Sequence, residues 1–369
     1  MAEKTILVDV IPPDITKEES NQRLSELESL VKTYGGIVVV KVIQKKGMPD
    51  YRTYVGSGKI EEILKENESQ KASLLIINNI LKPSQIYNLK ESLKKQNIEA
   101  WDRVDLILKI FSKHAKSVEA KLQIELAAIK HMGPRIYGMG LELTRQGGGI
   151  GTRGIGETNL QIMKRHLKKK EHKIREKLKH YDLVQENHRM QRRKNNLKTI
   201  SLVGYTNAGK SSLLNSLTKK GVYVADKLFA TLETTVGKLY LPNLTEGVLV
   251  SDTIGFIRDL PPDLIQAFKT TLYEIIDADL ILHVIDSSDP LYESKIMTVE
   301  DILHELKVDS KPKLYVFNKC DVNSNIDQSY ITDQFNLFDP TFVSAHTKKG
   351  LDILIPKIES YLKLQKNPV

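Results

Sequence analysis

The octapeptide GYTNAGKS, residues 204–211, has the pattern G-x-x-x-x-G-K-S. It follows the apolar run TISLV directly and leads straight into LLNSLTKK, so strand, glycine turn and helix succeed one another. Backbone N–H groups of such a loop, with the positive end of the helix behind them, cradle successive phosphates of a nucleotide. Gly204, Asn207, Ala208, Gly209 and Ser212 belong to that cradle, Lys210 reaches the outer phosphate oxygens, and the Ser211 hydroxyl is placed to ligate Mg²⁺.

Downstream, a second apolar strand ends in Asp252-Thr-Ile-Gly255, a D-x-x-G. Its aspartate would hold Mg²⁺ through water, and the Gly255 N–H would sense the third phosphate. The strand KLYVFN closes on Asn318-Lys319-Cys320-Asp321, an N-K-x-D. That carboxylate can accept from N1–H and the exocyclic amine of guanine. Adenine presents the opposite polarity, so a buried, unpaired Asp321 would penalise ATP. Ser344-Ala345, after PTFV, fits a loop whose backbone N–H meets guanine O6. Four elements in this order select GTP and GDP. The runs TISLVG, GVLVSDT, DLILHVID, KLYVFN and PTFVSA predict a doubly wound sheet with its site at the carboxyl ends of the strands. Residues 198–369 therefore read as a P-loop GTPase domain.

Working upstream, residues 1–115 alternate Val- and Ile-rich runs (KTILVDVI, GGIVVVKVI, SLLIINN) with helical spacings such as Leu24, Leu27, Leu30, Val31 and Ile60, Ile63, Leu64. They predict a separate α/β domain. Residues 116–197 predict a helical arm. SVEAKLQIELAAIKHM is a helix that Gly133-Pro134 should close. After an irregular GMGLELT comes a glycine-rich loop, residues 145–158. Then Leu160, Leu167, Ile174 and Tyr181 fall seven apart, with Met163 and Leu178 beside them. That spacing predicts two long helices packed as an antiparallel coil, with NHRMQRRKNN as the exit linker.

Charge marks the same segment. The chain of 369 residues carries a formal +9, and residues 160–198 hold fourteen Lys/Arg against four Asp/Glu, a net +10, which leaves the remainder near −1. Such a concentration fits nucleic acid or an anionic surface as readily as a solvated helix face. No apolar run reaches the roughly 18 residues of a membrane span, and the first residues lack the form of a secretion signal. One cysteine, Cys320, excludes an internal disulfide. The expectation is a cytoplasmic monomer.

The loop RQGGGIGTRGIGET contains a G-x-G-x-x-G, residues 149–154, yet it follows a helix rather than a strand, which argues against a dinucleotide fingerprint. Its glycines let backbone approach a phosphate chain closely, and Arg145, Gln146 and Arg153 supply charge and planar donors for RNA. In the first domain GSGK, residues 56–59, reads as a tight turn into a helix, with a second nucleotide site as the alternative. Trp101 reads as core rather than as a stacking platform.

The four nucleotide motifs resemble those of the translation-factor class of P-loop GTPases. That resemblance implies a switch threonine completing the Mg²⁺ shell. Thr231 in FATLETT is preferred, with Thr234 and Thr235 as competitors. It also implies a catalytic set of Lys210, Thr231 and Gly255. Many relatives orient the attacking water with a glutamine after D-x-x-G, where this chain has Phe256. Intrinsic hydrolysis should then be slow, on the order of 10⁻³ s⁻¹ or less. In related enzymes lacking that glutamine, an asparagine at the position of Asn207 holds K⁺. A polar residue that only tightens the turn is the alternative.

VGSGKIEEI, DRVDLILKIFSKHAKSVEAKLQIELA and RQGGGIGTRGIGET further resemble signature stretches of the HflX family, over nearly the whole chain. The resemblance implies a ribosome-associated GTPase that engages the large subunit and its rRNA and splits or rescues stalled ribosomes. It implies too that the arm reaches toward the peptidyl-transferase region. Two departures stand out. The family's FATLDPTT is FATLETT here, and little chain follows the last motif, so the additional carboxy-terminal domain of some members is expected to be absent. The alternatives are a GTP-gated RNA-binding module acting in ribosome assembly without splitting, and a membrane-surface GTPase.

Overall fold

The computed structural model describes residues 2–146, 159–218, 228–229, 234–242, 244, 247–258, 260, 264, 269–322 and 327–364. The chain divides into two compact units: residues 1–114 with 121–178, and residues 115–120 with 179–369.

In the first unit the apolar runs become β1 (Lys4–Ile11), β2 (Ile37–Lys45) and β3 (Leu74–Ile77), joined by β4 (Glu99–Asp102) in a parallel sheet ordered β2-β1-β3-β4. Seven of eight β1 residues are buried, as a central parallel strand requires. Helices α1 (Lys17–Tyr34), α2 (Ser57–Gln70), α3 (Pro83–Leu93) and α4 (Arg103–His114) supply the crossovers and cover. Thr16 caps α1 by accepting from the Glu19 N–H at 3.1 Å, and Gly35 ends it at φ +102°. GSGK forms the turn into α2, where the Gly56 N–H donates to the Gln44 side chain. Trp101 is buried, edge-on to Tyr34.

Two boundaries differ from expectation. The helix α5 (Val118–Gln146) runs straight through Gly133-Pro134 and takes in GMGLELT. Proline removes one helical hydrogen bond. Against that loss, Arg135 on the next position binds both Asp105 and Asp102, and His131 lies 3.3 and 3.4 Å from the same carboxylates. Tertiary ion pairs hold the turn that local propensity would break. Likewise α6 (Asn159–Lys194) continues through NHRMQRRK, which was expected to be linker. There Arg192 forms a two-pronged pair with Glu274 at 2.8 and 2.9 Å, and Arg189 binds Asp277 and lies over the Tyr273 ring. The helix stops where Asn196 turns left-handed at φ +50°. Along its predicted stripe Ile174 is buried, Leu167 and Leu178 are half-buried, and Met163 is exposed. Lys170 pairs with Glu125 of α5 at 2.6 Å.

The second unit holds a six-stranded sheet: β5 (Lys198–Val203), β6 (Thr235–Leu239), β7 (Val248–Asp252), β8 (Leu280–Asp286), β9 (Lys313–Asn318) and β10 (Thr341–Phe342). Its order is β10-β9-β8-β5-β7-β6. All pairings are parallel except β6 with β7. Sequence reading missed β6, whose short TVGKL pairs as a hairpin edge, and it places Thr235 opposite Asp252. Helices α7 (Lys210–Thr218), α8 (Lys269–Ile276), α9 (Tyr292–Glu305), α10 (Gln328–Gln334) and α11 (Leu351–Leu364) complete the described fold. Leu202, Leu213, Leu214, Val250, Leu282 and Val316 lie in one continuous apolar core that fixes the strand ends beneath the site.

Candidate nucleotide site

The glycine turn sits between β5 and α7, and its two outer glycines are sterically obligatory. At Gly204 a Cβ would overlap the Val284 carbonyl oxygen of β8. At Gly209, φ +91°, it would overlap the Asn318 side-chain amide. Ala208 is buried and Asn207 is exposed at φ +65°, a left-handed conformation that asparagine tolerates. Lys210 is buried at 6 % exposure, its ammonium donating to the carbonyls of Gly204 and Tyr205 at 3.0 and 2.9 Å. Burial pulls its pKa down to about 8, and the nearby Asp252 carboxylate offsets this only in part. A buried cation so placed favours an anionic ligand.

The Ser211 hydroxyl donates to Asp252 Oδ2 at 2.6 Å. Two adjacent hard oxygen donors, one a buried carboxylate, form a set that suits Mg²⁺ rather than a softer metal. The D-x-x-G segment is stitched to the glycine turn. The Phe256 N–H donates to the Gly204 carbonyl at 3.1 Å, and the Thr206 N–H donates to the Phe256 carbonyl at 2.7 Å. A Cβ on Gly255 would lie 2.9 Å from the Thr206 Cα and 3.1 Å from Lys210 Nζ, so this glycine sits against the Lys210 ammonium. The Phe256 side chain is 1 % exposed.

Asn318 joins three motifs. Its amide nitrogen donates to the Ala208 carbonyl at 2.9 Å, and its amide oxygen accepts from the Ala345 N–H at 2.9 Å. That Ala345 N–H, expected to meet guanine O6, is thus engaged within the protein. The Ala345 carbonyl accepts from Ser216 of α7 at 2.7 Å. Lys319 stands at φ +64°, with its ammonium on Asp286. Asp321 is exposed rather than buried, and a hydrogen bond from Ser344 holds its carboxyl below the usual range. Ser212 is half-buried on α7. The structure therefore brings residues 204–212, Asp252, Gly255, Asn318, Lys319, Asp321, Ser344 and Ala345 to one end of one sheet.

Several predicted residues fall elsewhere. Thr231 lies outside the described residues, as do residues 147–158 with Arg153, and so do the side chains of Arg145 and Gln146, the last residues of α5. Sequence reading missed Ser216 and Asp286, since a serine within a helix and an aspartate ending a strand carry no motif of their own.

Models of three protein families match the chain in succession: "GTP-binding GTPase N-terminal" over residues 21–112, "GTP-binding GTPase Middle Region" over 114–192 and "50S ribosome-binding GTPase" over 199–319. GTPase HflX of Caldanaerobacter subterraneus subsp. tengcongensis is 43 % identical over 360 residues, which cover 98 % of this chain and 81 % of the relative. The chain belongs to the HflX family of GTPases. GTPase HflX of Escherichia coli is 37 % identical, covering 98 % of this chain and 83 % of its own length. Among solved structures, a GTP-binding protein of the archaeon Sulfolobus solfataricus in complex with GDP is 26 % identical at a TM-score of 0.52. It covers 98 % of this chain and 99 % of its own. The SsGBP–GDP complex is 28 % identical at a TM-score of 0.54, covering 99 % and 100 %. As an HflX GTPase, the protein binds GTP and GDP and hydrolyses GTP. Among the described residues no helix is long and apolar enough to cross a membrane.

Proposed function

We propose that this HflX GTPase is a cytoplasmic, monomeric factor that engages the large ribosomal subunit and splits or rescues stalled ribosomes. The observation carrying this reading is the exposed basic face of α6. Lys164, Arg165, Lys168 and Lys169 line one open surface with Gln161 and His172, a polyanion-facing array on a long helix. The description of the matched GTPase family, which names the 50S ribosome, points the same way. Arg145, Gln146 and Arg153 at the glycine-rich loop would extend the RNA contact, with residues 1–115 as the N-terminal α/β domain, 116–197 as the arm and 198–369 as the GTPase motor.

At the nucleotide, residues 204–212 hold the phosphates, Asn318 and Asp321 read guanine, and Ser344 keeps Asp321 oriented. Ser211 and Asp252 would hold Mg²⁺ with Thr231, and the ion would neutralise charge on the outer phosphates. Lys210 lies against the third phosphate, and Gly255 supplies an N–H that engages only when that phosphate is present. Asn207 is the candidate ligand for K⁺. With Phe256 turned into the core, no side chain at that position orients water, so turnover is slow until the ribosome completes the site.

The test is GTP hydrolysis in K⁺ and in Na⁺ buffer, with and without purified large subunits, with ATP in parallel. Stimulation by subunits confined to GTP is the expected result. Equal rates with and without subunits would sink the ribosomal reading, and equal rates in K⁺ and Na⁺ would remove Asn207 from it. A subunit-dissociation assay separates splitting from an assembly role.

A further inference from the structure

The guanine-reading motif 318–321 sits on a support that no nucleotide motif contains. Strand β8 ends at Asp286, directly opposite Asn318 in the parallel register with β9. Asp286 Oδ2 accepts from the Lys319 ammonium at 2.7 Å, the two side chains being 20 % and 28 % exposed. Its other oxygen, Oδ1, accepts from the Ser288 N–H at 3.0 Å and the Ser288 hydroxyl at 2.6 Å. The carboxylate is therefore fixed by its own turn before it meets the lysine. Beside it, Ser287 donates to the Asn318 carbonyl twice, from its N–H at 2.9 Å and from its hydroxyl at 2.6 Å. The peptide linking Asn318 to Lys319 is thereby clamped at the point where Lys319 adopts φ +64°, a conformation that residues with a Cβ rarely take.

Backbone clamp and side-chain anchor act on one residue. A lysine stem samples many rotamers when its head is loose. Fixing the ammonium on a preset carboxylate removes that freedom before a ligand arrives, and the four methylenes become a fixed apolar rail beside the base-reading Asp321. We propose that Asp286, held by Ser288, is a positioning residue for guanine recognition that acts through Lys319. This rests on the reading of Asn318 and Asp321 as the guanine site. Asp286 is bonded to Lys319 and to Ser288, so its removal weakens GDP and GTP by a common factor and leaves the phosphate cradle intact.

The experiment measures Kd for fluorescent GDP and GTP with the full chain, in the wild type, Asp286→Asn, Lys319→Gln and the double variant. Asp286→Asn keeps the shape and the Ser288 contacts while removing the charge. The expected result is a loss of roughly 3- to 10-fold for both nucleotides in the wild-type background and almost none in the Lys319→Gln background. Ser288→Ala, which leaves the ion pair and the backbone N–H bond but removes the hydroxyl that helps fix the carboxylate, should give a smaller loss in the same direction. This keeps the test valid should Asp286→Asn fold poorly. An equal loss from Asp286→Asn in both backgrounds, or no loss from either Asp286→Asn or Ser288→Ala, would overturn the assignment. Wild-type preference for GDP over ADP is measured alongside. Its absence would instead overturn the guanine site itself.

Discussion

At the scale of single residues, Phe256 decides what the nucleotide site lacks. The position could be restored to glutamine by one substitution, and a reading from motifs alone would expect faster hydrolysis. The structure argues otherwise. The backbone of Phe256 is bonded at both its N–H and its carbonyl to the glycine turn, while the ring is buried at 1 % exposure. A glutamine there would place an amide in an apolar pocket and leave part of the ring's volume empty. Phe256→Gln should lower stability by about 2–4 kcal/mol and leave the intrinsic GTPase rate within about twofold of wild type. Thermal unfolding with single-turnover hydrolysis checks both, and a tenfold gain in rate would show that the side chain can swing toward the phosphates. The four motifs themselves were legible, because each demands particular residue types at fixed spacing. Asp286 and Ser216 were not, because their partners lie 33 and 129 positions away along the chain. Only folding brings such partners together.

At the scale of elements, strands were easier to read than helix ends. Buried parallel strands such as β1 and β8 are continuous apolar runs, whereas β4, the four residues EAWD, is too short and polar to announce itself. Helix α5 shows why Gly133-Pro134 misled: the anchor that carries the helix past it comes from Asp102 and Asp105, which no local rule includes. The same cluster makes a pH prediction. Burial opposes the charge on His131, but the Asp102 and Asp105 carboxylates beside it outweigh that and raise the pKa to about 9, despite the neighbouring Arg135. The folded protein thus keeps a proton that an unfolded histidine loses near pH 6.5. Its stabilisation is complete below pH 6.5 and disappears as pH rises through 9. The stability of the first unit should fall by about 1–3 kcal/mol across that window. Urea unfolding followed at Trp101, the single tryptophan and a neighbour of Asp102, reports it. A His131→Asn variant should show a flat profile, and a slope equal to wild type in that variant would assign the effect to other groups. Arg135→Ala, which strips a half-buried partner from two carboxylates, should cost about 3–5 kcal/mol by the same measurement.

At the scale of the whole molecule, the chain separates its two chemistries. The end of the sheet that carries the motifs is tightly cross-braced, with Asn318 tying the glycine turn at Ala208 to the loop at Ala345. The positive charge lies apart from it in sequence, in a segment that carries more than the chain's entire net excess. Along α6 the cations Lys164, Arg165, Lys168, Lys169, Lys173 and Lys177 are exposed, whereas Arg189 and Arg192 near its end are committed to Asp277 and Glu274. The first group faces solvent and the last two are engaged by carboxylates, so the helix divides into an exposed basic stretch and a structural one. If the exposed stretch meets ribosomal RNA, binding must release counterions, and affinity must fall steeply with salt. Each neutralised phosphate contributes roughly 0.7–0.9 to the slope of log K against log salt, so four to six contacts give a slope of about −3 to −5. Replacing Lys164, Arg165, Lys168 and Lys169 with glutamine should flatten that slope by about 3 and weaken large-subunit binding at physiological salt. GDP affinity should stay the same, because the nucleotide site is built wholly from residues beyond 203. Arg192→Gln should do the reverse, lowering stability through its lost pair with Glu274 while leaving the salt slope in place. Sedimentation of the protein with large subunits at a series of KCl concentrations distinguishes the two. A slope near zero in the wild type would mean that the basic face is a solvated surface, and the ribosomal contact would have to be sought in the other parts of the chain.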